Sequence, residues 1–192
     1  DMIPQGSSIR ARTAGDLLQA NDTWFAPCDV CLGPDGCVYV ADWHDARTAH
    51  PDPDAEWDRR NGRVYRISHG DAPTRKAFDL GKLSSAELVK LLSHANEWHA
   101  RTARRILADR RDPELILPLQ SRVRETKADV VLQYLWALHA SGGVSESFAV
   151  ECLSHANEHV RRWALRFLGD EDRLGRATIA AIDKLVAVEP SV

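Results

Sequence analysis

Hydrophobic and polar positions along the chain change their period near residue 83, dividing the sequence into two unlike parts. Between residues 24 and 67, apolar positions alternate or run in short blocks, which is the pattern of strands. Cys28–Leu32 reads as one strand, Gly33-Pro34-Asp35-Gly36 as a tight turn and Cys37–Asp42 as a second strand. Proline and glycine supply the fixed and positive φ angles that such a turn requires. A polar stretch, Trp43–Asn61, follows, and Gly62–Ile67 alternates again as a third strand. Two or three strands are at most marginally stable alone in water, so this part is expected to need further neighbours.

From Leu83 the period becomes helical. Ser84 and Glu87 have the spacing of a capping box, and Leu88, Leu91 and Leu92 make an apolar stripe behind it. Leu92–Asp109 then matches Leu153–Asp170 without a gap, with eleven of eighteen positions identical at an offset of 61. Leu132–His139 resembles the same helix, with Ala137 lying 34 residues after Ala103 and 27 before Ala164. The 61 therefore divides into two units of about thirty residues, each a helix pair. Asn96 and Asn157 have the position and chemistry of N-caps. Ala103 and Ala164 are small enough for close helix contacts, and Ile106, Leu107, Phe167 and Leu168 extend that face. Asp112-Pro113 opens another helix, which Pro118 is expected to kink. Gly142-Gly143 ends a helix and Ser145 caps the next. These features predict a HEAT-like α-solenoid, each unit burying its apolar face on its neighbour. The domain boundary falls between 1–82 and 83–192.

Composition removes several classes. The 192 residues are 44% hydrophobic, too apolar for a disordered chain, and no apolar run approaches the ~20 residues of a membrane span. With 28 acids against 25 bases the net charge is −3, which gives no global attraction to nucleic acid. Residues 98–176 hold thirteen bases but also eleven acids, which reads as a solvated, salt-bridged face that includes Arg104 rather than as a phosphate track. The first ten residues lack both the basic and the apolar region of a signal peptide, so the chain is expected to begin inside a longer protein.

Cys28, Cys31, Cys37 and Cys152 read as buried free thiols, with a metal site or disulfide as the alternative. Cys28-Asp29-Val30-Cys31 precedes Leu32 rather than histidine, so the haem-attachment motif is absent. The richest chemistry lies in the loop Asp42-Trp43-His44-Asp45, continuing to His50-Pro51-Asp52-Pro53-Asp54. Carboxylates and imidazoles this close can ligate a divalent ion, and Asp42, His44, Asp45 and His50 are the candidate metal ligands. The spacing fits no defined metal motif. The competing account has Asp42 and Asp45 accepting from loop amides while Trp43 plugs the sheet. His94 and His155 recur at the repeat period and are assigned a packing or turn role. No catalytic residue is identified.

The order Trp24-Phe25-Ala26-Pro27, Asp29-Val30, Gly33-Pro34-Asp35-Gly36, Tyr39–Trp43 and Gly62–Ile67 resembles the last blade of a β-propeller. That propeller belongs to the membrane-bound dehydrogenase-type proteins of planctomycetes and verrucomicrobia, related to the NHL and quinoprotein sugar dehydrogenase propellers. In that family a HEAT-like segment follows, similar to residues 91–105 here, and a c-type cytochrome domain commonly lies further on. The resemblance implies a mainly α chain with a short antiparallel β segment, the terminal blade, followed by the solenoid. It also implies an extracytoplasmic, periplasmic parent, with haem c or a quinone as cofactor elsewhere in it. Partners would be the other blades, a cytochrome-type domain and another protein on the solenoid surface. Two expectations follow: a scaffold that docks the propeller to its partner, and, as rival, part of the active site of a quinone- or metal-dependent sugar dehydrogenase.

Overall fold

The computed structural model describes residues 2–5, 8–45, 60–70, 78–170 and 174–189. They form a mixed α/β chain of seven α-helices and two small antiparallel sheets; among the described residues no sheet closes into a barrel. The chain divides into two compact units. One comprises Asp1–Thr13, Asp79–Ala95 and His99–Val192; the other comprises Ala14–Phe78 and Asn96–Trp98.

The first sheet is a hairpin that the hydrophobic pattern did not reveal. Strands β1 (Met2–Gln5) and β2 (Ser8–Ala11) pair antiparallel, Ile3 opposite Arg10. Their four-residue runs carry too little alternation to read as strands. The second sheet lies where alternation places it: β3 (Pro27–Leu32), β4 (Val38–Asp42) and β5 (Arg63–Ile67), antiparallel in that order. Val30 faces Val40, and Val40 faces Tyr65. At the β3–β4 turn, Gly36 takes φ +80°, open to glycine at no steric cost. A Cβ on Gly33 would clash with the Tyr39 ring. The register shifts between Pro27 and Asp29, a bulge that interrupts strict alternation in β3.

The helices are α1 (Ser85–Leu91), α2 (Glu97–Arg110), α3 (Ile116–Glu125), α4 (Val131–Ala140), α5 (Glu146–Cys152), α6 (Glu158–Gly169) and α7 (Arg176–Val186). The odd-numbered helices begin at 85, 116, 146 and 176, at spacings of 31, 30 and 30. Both α1 to α5 and α2 to α6 are displaced by the 61 residues of the sequence repeat.

Local chemistry sets these boundaries. Ser84 Oγ accepts from the Glu87 amide while the Glu87 carboxylate accepts from the Ser84 amide (2.8 Å), completing the capping box. Ser145 caps α5 by accepting from the Phe148 amide at 3.2 Å. After α4, Gly142 at φ +77° lets its own amide reach His139 O and the Gly143 amide reach Leu138 O, a Schellman ending. The proline expected to kink its helix, Pro118, lies near the start of α3. A 3₁₀ turn, Pro113–Leu115, precedes α3, so Pro118 falls in the first α-turn, where amides have no intrahelical acceptor.

The core runs through the helices. Leu88, Leu107, Leu119, Leu135, Leu138 and Leu168 are fully buried, as are Ala103 and Ala164. Ser141 Oγ donates to Leu107 O (3.4 Å) and ties α4 to α2, while the Arg124–Glu151 pair links α3 to α5 through contacts of 2.6 and 2.9 Å. Arg104 departs from its expected place on the solvated face: it is half-buried, donates to Gln133 Oε1 and lies over the Trp136 ring.

The two repeat asparagines work at both ends of the side chain. Asn157 Oδ1 accepts from the His159 and Val160 amides, while its Nδ2 donates to Lys127 O (3.1 Å) and Asp129 Oδ1 (2.9 Å). Asn96 Oδ1 accepts from the Trp98 amide, and its Nδ2 donates to Gly33 O (2.9 Å) and Pro34 O (3.3 Å) inside the strand unit. Asn96→Ala and Asn157→Ala are each expected to cost ~0.5–2 kcal/mol in a denaturant titration, and an unchanged midpoint would refute the capping role.

Candidate functional site

The candidate loop starts at the end of β4. Asp42, with a side chain only 1% exposed, accepts through Oδ1 from the amides of Ala26 (3.0 Å) and His44 (2.9 Å). The ladder continues past the strand: the Trp43 amide donates to Ala26 O and the Asp45 amide to Trp24 O. These bonds hold His44 in the left-handed region at φ +54°, uncommon for a residue with a Cβ. They also aim its imidazole inward, beside the Trp24 ring at 5.8 Å.

Three polar groups converge there. His44 Nδ1 lies 3.8 Å from Asp42 Oδ2 and 3.9 Å from Asp22 Oδ2. Asp42 Oδ2 is buried and makes no hydrogen bond among the described residues. Asp22 was not singled out from the sequence; its Oδ1 accepts from the Trp24 amide at 2.9 Å, a local turn with no motif to announce it. The arrangement sets an imidazole nitrogen between two carboxylates, the nearer of them buried.

Of the four candidate metal ligands, Asp42 and His44 come together. Asp45 is buried but turned elsewhere, its Oδ2 accepting from Trp43 Nε1 at 3.1 Å. His50 lies outside the described residues, as does the rest of that loop through Arg59. Among the described residues no group of three His, Cys, Asp or Glu side chains is arranged to hold a metal ion. Trp43 does not plug the sheet: it is 57% exposed, because the extended ladder turns its side chain outward while Asp45 holds the indole nitrogen.

A second polar network crosses the same sheet. Asp35 Oδ2 accepts from Tyr39 Oη (3.0 Å) and Arg66 Nε (2.9 Å), and its Oδ1 from the Cys37 amide (3.1 Å). Burial alone would raise the Asp35 carboxyl, but the bonds from Arg66, the Cys37 amide and Tyr39 hold it well below the usual carboxylate range. Every bond in this network is satisfied, which fits the locking of a turn better than chemistry. The sequence hides it, since Asp35 and Arg66 meet only once the register places Tyr39 opposite Arg66.

The cysteines do not assemble. All four are free; Cys37 and Cys152 are buried as expected, but Cys28 and Cys31 are exposed because β3 has no buried face. Burial pushes the Cys152 thiol up to about 12. A thiol-reactive dye is therefore expected to modify Cys28 and Cys31 quickly in native protein, and Cys37 and Cys152 only on unfolding. Equal rates at all four would contradict the fold of the strand unit.

In the helical unit, His155 takes the turn role expected of it. Its Nδ1 accepts from the Asn157 amide (3.0 Å), which leaves Nε2 to donate to Val123 O (3.0 Å). Beside it, a cleft of about 520 Å³ is lined by Val150, Leu153, His155, Arg161, Leu185 and Glu189. Arg161 is engaged within it, donating to both Glu189 oxygens (2.6 Å each), to His155 O and to Ala156 O. That pairing closes the end of α7 onto the start of α6.

Residues 1–71 match a family model described as a domain of unknown function, DUF7133. The matched stretch takes in both sheets, Asp22, Asp42 and His44. No curated protein and no solved structure gives a significant match. No helix among the described residues is long and apolar enough to cross a membrane.

Proposed function

We propose that the chain is a docking scaffold in a larger extracytoplasmic protein of dehydrogenase type. In this reading β3–β5 are the last blade of a propeller, and the helix pairs are a HEAT-like α-solenoid that carries the propeller to a partner. The other blades, a cytochrome-type domain and a protein on the solenoid surface are the partners. Any haem c or quinone belongs to the parent protein.

The observation that carries this reading is the recurrence of helix pairs at spacings of 31, 30 and 30 residues. A stack of such units buries its core between neighbours and leaves a long, rigid face for binding. Asp42 favours a second reading. A buried carboxylate oxygen without a hydrogen bond, facing an imidazole, is costly unless it serves something. There Asp42, His44, Asp45 and His50 would contribute to a quinone- or metal-dependent sugar dehydrogenase site.

The parent protein, tagged and purified from its host with and without residues 83–192, separates the two. Docking predicts that the shortened protein keeps its turnover and loses the partner that co-purifies with the intact one. Retention of that partner would overturn the docking reading. Turnover lost in Asp42→Ala with the partner still bound would establish the enzyme reading instead.

A further inference from the structure

We infer that Asn61-Gly62, the pair of residues leading into β5, is a site of spontaneous modification, where asparagine passes through a cyclic imide to aspartate and isoaspartate. Arg63 promotes the step, and the altered main chain lies against Asp42. The chemistry is independent of the docking role proposed above.

The surroundings of the competing residues single this pair out. The chain has asparagines at 21, 61, 96 and 157, and only Asn61 precedes glycine. A glycine nitrogen has no Cβ beside it, so it can approach a neighbouring side-chain carbon closely. Asn96 and Asn157 are engaged as caps at both ends of the side chain. Asp35-Gly36 is the one Asp-Gly pair in the chain, and it is held on both sides. The Asp35 carboxylate accepts from Arg66, Tyr39 and the Cys37 amide, which keeps it ionised and a poor electrophile. Its partner amide is occupied too, Gly36 donating to Gly33 O at 3.1 Å. Asn61 and Gly62, by contrast, are exposed and lie just before the first residue of β5. The Gly62 amide makes no hydrogen bond among the described residues, so no ladder bond has to break before the ring closes.

Arg63 Nη1 donates to Asn61 O at 2.6 Å. That carbonyl is conjugated with the Gly62 nitrogen, so a cation drawing electrons onto the oxygen makes the Gly62 N–H easier to ionise. The ionised nitrogen attacks Asn61 Cγ. A bond forms between Gly62 N and Cγ, the Cγ–Nδ2 bond breaks, and Nδ2 takes a proton from solvent and leaves as ammonia. Water then opens the imide. Addition at Cγ breaks the new bond and leaves aspartate. Addition at the Asn61 main-chain carbon breaks the original peptide bond and leaves isoaspartate, with the chain rerouted through Cγ. No electrons are exchanged, and water is the only co-reactant.

The product has a defined place in the fold. Asp42 and Arg63 are the last pair of the β4–β5 ladder. A Cβ built on Gly62 would lie 3.3 Å from Asp42 O and 3.6 Å from Trp43 O, so the main chain there runs close beside the strand end that carries Asp42 and His44. Isoaspartate adds one carbon to that main chain, and both products put a carboxylate where a neutral amide stood. The added length acts on a ladder end whose continuation, Trp43 amide to Ala26 O and Asp45 amide to Trp24 O, positions His44. Modification at Asn61 is therefore expected to loosen residues 42–45.

The test ages the intact purified chain at mildly alkaline pH and follows it by intact mass and by labelling with an isoaspartyl methyltransferase. The mass rise of an amide becoming an acid is expected, together with methyl uptake. Both should vanish in Asn61→Gln, whose longer side chain must close a six-membered imide and does so far more slowly. Asn21→Gln should age as wild type, and Arg63→Ala severalfold more slowly. By hydrogen–deuterium exchange, aged protein should exchange faster than fresh protein at residues 42–45. Labelling that persists in Asn61→Gln, or a folded chain that stays unmodified while the urea-unfolded chain ages, would overturn the site. An Arg63→Ala rate equal to wild type would overturn the promotion, and equal exchange at 42–45 would overturn the effect on Asp42.

Discussion

Leu107→Ala and Leu168→Ala should be the most damaging single changes in the helical unit, each lowering stability by ~2–5 kcal/mol. The two leucines are equivalent across the 61-residue repeat, and each is only 1% exposed. Removing Cγ and its two methyl groups from such a position forfeits the transfer free energy and leaves a cavity that neighbouring helices can only partly fill. Because the sites are equivalent, the two losses should be similar in size. Guanidinium titration followed by circular dichroism at the helix band measures both. A loss below ~0.5 kcal/mol, the range of open surface positions, would place that leucine outside the core.

Ala103→Leu and Ala164→Leu probe the same interfaces in the opposite sense, each with an expected cost of ~1–3 kcal/mol. Ala103 is fully buried and Ala164 is 1% exposed, so the added isopropyl group must push helices apart or force its neighbours off their rotamers. Both variants should unfold at lower denaturant. If they were as stable as wild type, the alanines would not sit at tight helix contacts, and the unit boundaries drawn through them would be misplaced.

The helical half is legible in the sequence because its signals are local and redundant. A capping box at Ser84 and Glu87, asparagine caps and the Gly142-Gly143 ending each act within a few residues. The internal repeat then confirms one copy against another. Pro118 shows the limit of that logic. It falls in the first turn of α3 because a 3₁₀ turn, Pro113–Leu115, precedes that helix, and the 3₁₀ turn has no distinct sequence sign. Arg104 shows another, since an arginine on a helix reads as solvated until a neighbouring helix brings Trp136 beneath it.

The strand unit is half legible. The hairpin and third strand follow from alternation and the Gly-Pro-Asp-Gly turn, but the site depends on residues far apart in sequence. Asp22 joins Asp42 and His44 only because the segment at 24–26 pairs with 42–45. Asp35 meets Arg66 only through the register of three strands. The exposure of Cys28 and Cys31 was hidden for a similar reason: cysteines in an apolar run look buried, and only the layout of the sheet shows that β3 buries neither face.

The account rests on helix pairs that bury their cores against one another. The most direct measurement is therefore far-ultraviolet circular dichroism, with thermal melting, of residues 83–189 produced without the rest of the chain. A strongly helical spectrum and a single cooperative transition are predicted, since stacked units supply their own neighbours. A coil spectrum, or helical signal fading gradually with no transition, would mean that the helices do not form a self-supporting stack, and would contradict the scaffold built on it.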